Sequence, residues 1–353
     1  MSDNNKIKFF LASKTKRGLV PLFDELRDVK NSKKLYILKG GPGSGKNSLM
    51  KRVLMRLESN RHSIEYIHCA SDPNSLDAFI DHTSGIAMVD GTSPHIMDPG
   101  YPGAYDVIIN MGDCWDDASL LDHKNDIISL SDTCSTYHQM ASSCIRSAAA
   151  LLDNNMEIAK SYLDNEAINE FVRKLIKDLS GSKIGNLKKR LLSAVSVGEI
   201  VFFAETIENL ASSIYLIPDK WGAASDALLS RLSHGASLLG VEQIACYCSI
   251  RTEDKIDHII FPSAGIAVST SNCFHSLKES KQSITPNFMK SIPNQLHEQM
   301  LVHHNIAIEL LDKASNHVKQ AKLLHDNLEA YYIKAMDYSK VDLIYESIIK
   351  EII

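Results

Sequence analysis

The sequence predicts an α/β fold in which two sheet-containing units follow each other, each succeeded by long α-helices. One supporting observation is an internal repeat: Gly85-Ile-Ala-Met-Val-Asp90 resembles Gly265-Ile-Ala-Val-Ser-Thr270, and an offset of 179 or 180 residues holds over about 85 residues. The other is the spacing of apolar residues, which recur every three or four positions from about 120 to 179 and from about 287 onwards. Chance similarity would not keep one offset over such a length.

The repeat and the helical stretches divide the chain into four parts. We predict a first sheet unit over residues 1–118 and a helical segment with a linker over 119–182. A second sheet unit then covers 183–285, and a C-terminal helical segment covers 286–353. The Ser180–Gly185 stretch, rich in glycine and serine, is the clearest linker. The outer faces of the long helices are polar, which is typical of solvent-exposed helices; a homo-oligomer contact is the alternative.

Composition restricts the class of protein. Of the 353 residues, 44% are hydrophobic and 23% are charged, as in a soluble globular protein. The net charge of −5 argues against nucleic acid as the partner. The chain contains neither a run of 18 apolar residues nor an apolar segment at its N-terminus, so we expect no membrane partner. Seven cysteines without a CxxC pair are typical of a cytoplasmic protein with reduced thiols.

The strongest motif lies in the first unit. The apolar run Lys34–Lys39 predicts a buried strand, and the spacing of Leu49, Val53 and Leu57 predicts a helix soon after it. Between them stands Gly-Gly-Pro-Gly-Ser-Gly-Lys, residues 40–46. A strand, a glycine-rich loop, a lysine and a helix in this order form the Walker A context. The motif therefore predicts sheet units of the P-loop NTPase type, with a parallel sheet, duplicated in tandem.

The chemistry of this loop requires these residue types. Glycines let the backbone curl so that its N–H groups converge on phosphate oxygens, and the start of the helix adds partial positive charge. Lys46 then reaches the β and γ phosphates as a point charge. We therefore predict that ATP is bound by eight residues between positions 40 and 48: Gly40, Gly41, Gly43, Ser44, Gly45, Lys46, Asn47 and Ser48.

One position departs from the Walker A pattern. The lysine is normally followed by Ser or Thr, whose hydroxyl binds Mg²⁺, whereas this chain has Asn47. The amide oxygen of Asn47 can coordinate a hard cation but is directed differently. Ser48 lies about 100° further around the helix and is a poor substitute. This departure affects catalysis more than nucleotide binding.

A second carboxylate motif follows the loop. Residues 85–90 read as a buried strand that ends in Asp90, which is the Walker B form. In that form the aspartate holds Mg²⁺ directly or through water. We therefore predict Asp90 and Asn47 as the Mg²⁺ ligands; the alternative is that Asp90 caps the following loop.

Polar residues at the ends of two strands are further candidates. The loop 91–104 is dense in turn-forming residues and contains His95 and Asp98. Ligands of open parallel sheets lie beyond the carboxyl ends of the strands, so this loop could bind a small molecule or a protein partner. Asp72, after the strand Ile64–Cys69, is the best of its neighbours Ser71 and Asp77 as a general base or water-positioning group. We name Lys46, Asp90, Asp72 and His95 as catalytic candidates.

The second copy lacks this chemistry. Thr270 stands where the first copy has Asp90, and Asp219 and Asp226 would repel phosphate. The second copy therefore predicts a pseudo-site retained for packing or regulation, or a site rebuilt for another ligand. The sequence alignment places the following residues opposite Gly45, Lys46 and Asn47, respectively: Ala224, Ser225 and Asp226.

Four segments together resemble a poorly characterised bacterial family whose members are usually labelled ATPase or P-loop nucleotide-binding protein. They are residues 39–46, Val89–His95, Thr270–Asn272 with His275, and His325–Tyr332 with Ala335-Met-Asp337. The resemblance covers nearly the whole chain. It implies that Gly40, Gly45, Lys46 and Asp90 occupy nucleotide-site positions. It also implies Ser or Thr at position 47 and a second P-loop in better-preserved relatives, and this chain departs at both.

These observations predict an ATP-binding protein that is a slow ATPase or a nucleotide-dependent switch and uses the first repeat only. A small-molecule kinase is one alternative, with its acceptor in the loop that contains His95. A non-catalytic nucleotide-binding scaffold is the other, because Asn47 and the degenerate second copy weaken the case for hydrolysis.

Overall fold

A computed structural model describes residues 6–93, 95–179, 185–251, 255–277 and 282–352. The first part contains β1 (Ile7–Phe9), β2 (Ala12–Thr15), β3 (Gly18–Pro21), β4 (Lys34–Lys39), α1 (Lys46–Ser59), β5 (Ile64–His68), β6 (Leu76–Asp81), β7 (Ile86–Asp90) and β8 (Asp106–Asn110). Three helices follow: α2 (Asp117–Asp122), α3 (Lys124–Lys160) and α4 (Asn165–Asp178). The fold is therefore mixed α/β from its first part onwards.

The second part begins after the linker, of which residues 180–184 lie outside the described residues. It contains β9 (Leu187–Arg190), β10 (Ser193–Val195), β11 (Ile200–Phe202), α5 (Ala204–Leu210), β12 (Ser213–Pro218), α6 (Ala223–Leu238), β13 (Gln243–Tyr247), β14 (Ile256–Phe261), β15 (Ile266–Ser271) and β16 (Gln282–Ile284). Two helices complete the chain: α7 (Asn294–Ala335) and α8 (Tyr338–Ile352). None of the helices in these ranges has the length and apolar character that a bilayer crossing requires.

The first sheet has six strands in the order β1-β5-β6-β7-β4-β8. Strand β4 lies between β7 and β8 and is parallel to both, as the Walker A and B motifs require. The sheet is not fully parallel, however, because β6 runs antiparallel to β5 and to β7. The short connections explain this difference from the prediction: a parallel pair needs a crossover of a dozen or more residues, whereas β5, β6 and β7 are joined by short turns.

The second sheet has the order β9-β13-β14-β15-β12-β16. Strand by strand, this order and the parallel or antiparallel sense of each pair match those of the first sheet. Two short hairpins, β2–β3 and β10–β11, occupy matching places in the chain, between the first and second strands of each six-stranded sheet.

The two sheets share one hydrophobic core. Phe9, Phe10 and Leu11 from the first part pack with Leu191 and Leu192 from the second, and all five are at most 1% exposed. The backbones of Phe10 and Leu191 exchange two N–H···O hydrogen bonds of 2.8 and 3.0 Å. Fully buried aromatic and aliphatic side chains each contribute about 1.5–3 kcal/mol on burial, so this contact stabilises the packing of the two parts against each other.

The long helices connect the two parts reciprocally. Helices α3 and α7 run antiparallel, since Cys134 Sγ lies 3.4 Å from the oxygen of Ala321 whereas Asn155 Nδ2 donates to the oxygen of Met300. Helix α4 packs on α6 of the second part, and α8 packs on α1 of the first. The last helix of each part, α4 or α8, therefore packs on the other part. The predicted boundary between residues 118 and 119 falls inside α2.

Candidate functional site

The glycine-rich loop joins β4 to α1 at the carboxyl edge of the first sheet. Gly45 precedes the helix with φ +85° and Gly43 has φ +69°, a left-handed conformation that side chains rarely adopt. Ser44 is buried, and its hydroxyl donates to the oxygen of Gly41 at 2.8 Å. The loop is thus curled and held by its own hydrogen bonds at the positive end of a 14-residue helix.

The side chain of Lys46 is turned back over this loop. Its ammonium group donates to the oxygens of Gly40 and Gly41, both at 2.7 Å, and lies 3.6 Å from Asp90 Oδ2. Burial lowers the pKa of Lys46, and the neighbouring carboxylate of Asp90 opposes that effect. Lysine and aspartate, predicted from separate motifs, therefore lie together, because β4 and β7 are adjacent parallel strands.

Asp90 also stabilises the loop that follows β7. Its Oδ1 accepts hydrogen bonds from the backbone N–H and the hydroxyl of Thr92, at 3.0 and 2.5 Å. This is the capping role named above as the alternative, and Oδ2 still faces Lys46. One carboxylate thus makes both contacts, with Thr92 through Oδ1 and with Lys46 through Oδ2.

Asn47 does not point its amide oxygen into open space. Its Oδ1 accepts the backbone N–H of Leu76 at 3.2 Å, and its Nδ2 lies 3.5 Å from Ser75 Oγ. The side chain thus ties α1 to the start of β6. Magnesium ligation by this oxygen would have to share it with, or replace, the bond from Leu76. Ser48 is exposed on the next position of the helix.

Helix α7, from the far end of the chain, lies against the loop. A Cβ atom added to Gly41 would be 2.7 Å from the ring of Tyr332, and one added to Gly43 would be 2.6 Å from the oxygen of Glu329. The carboxylate of Glu329 is close enough to act on the charge of Lys46. Both loop glycines are therefore needed for close approach of a helix.

The contribution of α7 was missed by the sequence reasoning. Glu329 and Tyr332 belong to the segment 325–332 that was singled out only as a family resemblance. Asp72 is also engaged by this helix, since Lys322 Nζ lies 3.5 Å from its Oδ2. Asp72 further accepts from the N–H of Asn74 and the hydroxyl of Ser75, both at 3.1 Å. It is thus a turn-forming residue with an ion-pair partner as well as a candidate base.

The loop after β7 places its two candidates apart. His95 Nε2 lies 3.4 Å from Asp77 Oδ2, and its ring packs 5.1 Å from that of Phe23. Asp98 Oδ1 lies 3.1 Å from Lys39 Nζ, which also donates to the oxygen of Gly91. Residue 94 of this loop lies outside the described residues.

In the second part, the matching loop has four residues, 219–222, where the first has six, 40–45. Gly222 has φ +82° and precedes α6, as Gly45 precedes α1. The predicted pairing of Ala224, Ser225 and Asp226 with Gly45, Lys46 and Asn47 is therefore wrong, because a two-residue shortening is hidden inside the repeat. Ala223 is the first helical residue, at the place of Lys46.

The chain's own carboxylate occupies the start of α6. Asp219 is buried and accepts hydrogen bonds from the N–H groups of Gly222 and Ser225 and from the hydroxyl of Ser225, at 2.7–2.9 Å. An anion thus sits where the first loop would hold phosphate. Asp219 fills the anion site instead of merely repelling phosphate as predicted.

No protein-family model, curated protein sequence or solved structure matches this chain.

Proposed function

We propose that the chain is a nucleotide-binding protein in which ATP with Mg²⁺ binds the loop 40–46 and drives a switch or slow hydrolysis. One observation carries the proposal: Lys46 lies between the loop carbonyls and Asp90, 3.6 Å from that carboxylate, at the start of a helix. Converging N–H groups, a fixed ammonium group and an adjacent carboxylate are the elements that bind a nucleotide triphosphate and its cation.

The matching topology of the two sheets supports the further proposal that the parts arose by duplication and are P-loop NTPase-like. Only the first part would then bind nucleotide. In the second, Asp219 occupies the helix start and Ala223 replaces the lysine. A phosphate there would have to displace a buried carboxylate that satisfies three donors.

The contact with α7 favours a switch over a simple hydrolase. Before nucleotide enters, the charge of Lys46 is shared by Asp90 and Glu329. A triphosphate would compete for the same ammonium group and bring further negative charge beside Glu329. Repulsion between that carboxylate and the triphosphate charge that Mg²⁺ leaves uncompensated would then shift α7 relative to the loop.

A non-catalytic nucleotide-binding scaffold is the second candidate, and the position of Asn47 favours it. Its Oδ1 already accepts from Leu76, so the usual hydroxyl ligand of Mg²⁺ has no direct replacement in this loop. Binding without turnover, unchanged by Asn47→Thr, would support the scaffold. Phosphate release above background from the native chain would exclude it, and transfer to an added metabolite would indicate a kinase.

Calorimetric titration of the full chain with ATP, in Mg²⁺ and in EDTA, tests the proposal. We expect Mg²⁺-dependent binding to the native chain. Lys46→Ala should weaken it by about tenfold to 100-fold, since a hydrogen bond to a charged group contributes about 1.5–3 kcal/mol. The matched control is Lys220→Ala in the second loop, which should bind as the native chain does. Absence of binding to the native chain, or equal loss in both variants, would refute the proposal.

A further inference from the structure

Three side chains of metal-binding residue types lie close together in the first part, and none of them belongs to the glycine-rich loop 40–46. They are Cys69, directly after β5; Asp77, the second residue of β6; and His95, in the loop after β7. One candidate ligand atom from each lies within 4.8 Å of the other two. Because β5 and β7 end at this edge of the sheet and β6 begins there, the topology brings together residues far apart in sequence.

The carboxylate of Asp77 is compensated only in part, by the Cys69 thiol and by the charges of His95 and Lys14. The residue is 6% exposed, and within the described part of the chain its Oδ2 accepts no hydrogen bond. His95 Nε2 lies 3.4 Å away without forming one, and its Nδ1 also has no partner there. Burial raises the pKa of Asp77 and that of the Cys69 thiol. Keeping a buried carboxylate ionised without a hydrogen-bonded partner costs free energy unless a cation binds to it.

The second part has a cysteine, an aspartate and a histidine at the corresponding positions, and there a lysine provides the cation for the aspartate. Cys248 follows β13, Asp257 is the second residue of β14, and His275 lies in the loop after β15. There the ammonium group of Lys255 pairs directly with the buried carboxylate of Asp257. The residue that precedes β6 in the first part is Ser75, which is neutral.

Two nearby basic groups do not replace that cation. Lys14 Nζ donates to Ser71 Oγ at 2.7 Å, and burial lowers the pKa of this lysine. His138, on α3, acts on the same region, and burial lowers its pKa to about 4, so it is neutral near pH 7. The charge of Lys14 acts on Asp77 and Cys69, but neither Lys14 nor His138 forms an ion pair with Asp77 among the described contacts, in contrast to Lys255 with Asp257.

We propose that Cys69, Asp77 and His95 bind one thiophilic divalent cation, of which Zn²⁺ is the type. A thiolate, an imidazole and a carboxylate together select Zn²⁺ over Mg²⁺, which prefers oxygen ligands alone. On binding, the Cys69 thiol loses its proton to solvent and its sulfur donates to the metal. Three protein ligands leave a fourth position for water or a substrate atom. The three ligands lie outside the loop 40–46, although the charge of Asp90 acts on Asp77.

Titration of the metal-free full chain with Co²⁺ tests the proposal, because Co²⁺ reports its ligands by absorbance. We expect one Co²⁺ per chain, with a thiolate-to-cobalt charge-transfer band that Zn²⁺ abolishes. Cys69→Ser should lose the band, whereas Cys248→Ser, its counterpart in the second part, should keep it. Asp77→Asn should weaken Zn²⁺ binding by more than about 100-fold, beyond the 10–100-fold typical of an outer-shell partner.

Alkylation of the unmodified chain, mapped by peptide mass, provides a test that needs no variant. Zn²⁺ should protect Cys69 from alkylation and leave Cys273, which is exposed, unprotected. Because a buried thiol of raised pKa reacts slowly, the alkylation is done in a denaturant pulse that labels Cys69 in the metal-free chain, and equal alkylation with and without Zn²⁺ in that pulse would overturn the proposal. So would a charge-transfer band that survives Cys69→Ser, or Co²⁺ binding that is lost only with His325→Ala in the other candidate cluster, on α7.

Discussion

Replacing Glu65 with glutamine would leave the guanidinium group of Arg190 buried without its main charge partner. Glu65 is on β5 of the first sheet and Arg190 ends β9 of the second, and they are 4% and 2% exposed. Arg190 Nε donates to Glu65 Oε1, and Glu25 lies further off, at 3.5 Å. The ion pair therefore crosses the junction of the two sheets, and its loss tests how strongly they are joined.

The magnitude follows from the pKa of Glu65. Burial alone would raise it, but the guanidinium of Arg190 and, after it, the imidazole of His82 lower it from 4.5 to about 2. At 1.36 kcal/mol per pKa unit this corresponds to about 3 kcal/mol. Removal of one partner from other buried pairs costs about 3–5 kcal/mol. We therefore expect Glu65→Gln to lower the free energy of unfolding by about 3 kcal/mol near pH 7.

The pH dependence has a defined sign. Because the folded-state pKa is depressed, the stabilisation is fully present above the unfolded-state value of 4.5 and is lost as the pH falls from there towards about 2. The difference in unfolding free energy between the native chain and Glu65→Gln should therefore shrink within that interval. Above the unfolded-state pKa of 4.5 and up to neutral pH, this difference in unfolding free energy should be constant.

Denaturation in urea measures the effect, with Trp115 reporting on the first part and Trp221 on the second. The matched control is Asp342→Asn, which breaks an ion pair with Arg52 whose side chains are 60% and 35% exposed. Exposed pairs contribute at most about 1 kcal/mol. A loss below about 1 kcal/mol in Glu65→Gln, or a loss that does not diminish below about pH 4.5, would refute the reasoning.

Two further substitutions test the loops. Asp219→Ala should lower the free energy of unfolding by about 1–2 kcal/mol, since it removes the acceptor at the start of α6; Asp24→Ala, at an exposed site, should change it little in the same thermal melt. Gly43→Ala should be more destabilising than Gly103→Ala by about 1–3 kcal/mol. Both glycines have positive φ, but only the Cβ at position 43 meets the backbone of Glu329, so equal losses would argue against a close contact of α7.

Local patterns in the sequence were sufficient to predict the elements of the first site. The strand Lys34–Lys39 and the strand end at Asp90 were predicted with the bounds the structure has. Apolar runs of strand length and the helical spacing of Leu49, Val53 and Leu57 depend on which face is buried, and that information is local. The adjacency of Lys46 and Asp90 followed from the Walker motifs.

Contacts between distant elements were not predictable in this way. Periodicity shows that α7 has an apolar face but not which surface that face covers, so the contact of Tyr332 with Gly41 was missed. The shortened second loop was missed because the offset of 179 or 180 resumes after α6. Cys69 and Asp77 could have been recognised as a repeated pair, since each recurs in the second part at that offset, as Cys248 and Asp257.

Helix α7 contacts the corresponding loops of both parts and so links the second part to the candidate site of the first. Near its start, His297 and His304 contact the ring of Trp221 in the second loop, at centroid distances of 5.6 and 5.9 Å. Near its end, Glu329 and Tyr332 lie on the first loop. A helix of 42 residues transmits displacement along its axis because each turn is fixed by backbone hydrogen bonds. The second loop, closed by its own aspartate, is thus an anchor for the helix that covers the first, and a displacement of α7 at one loop must be accommodated by its packing at the other.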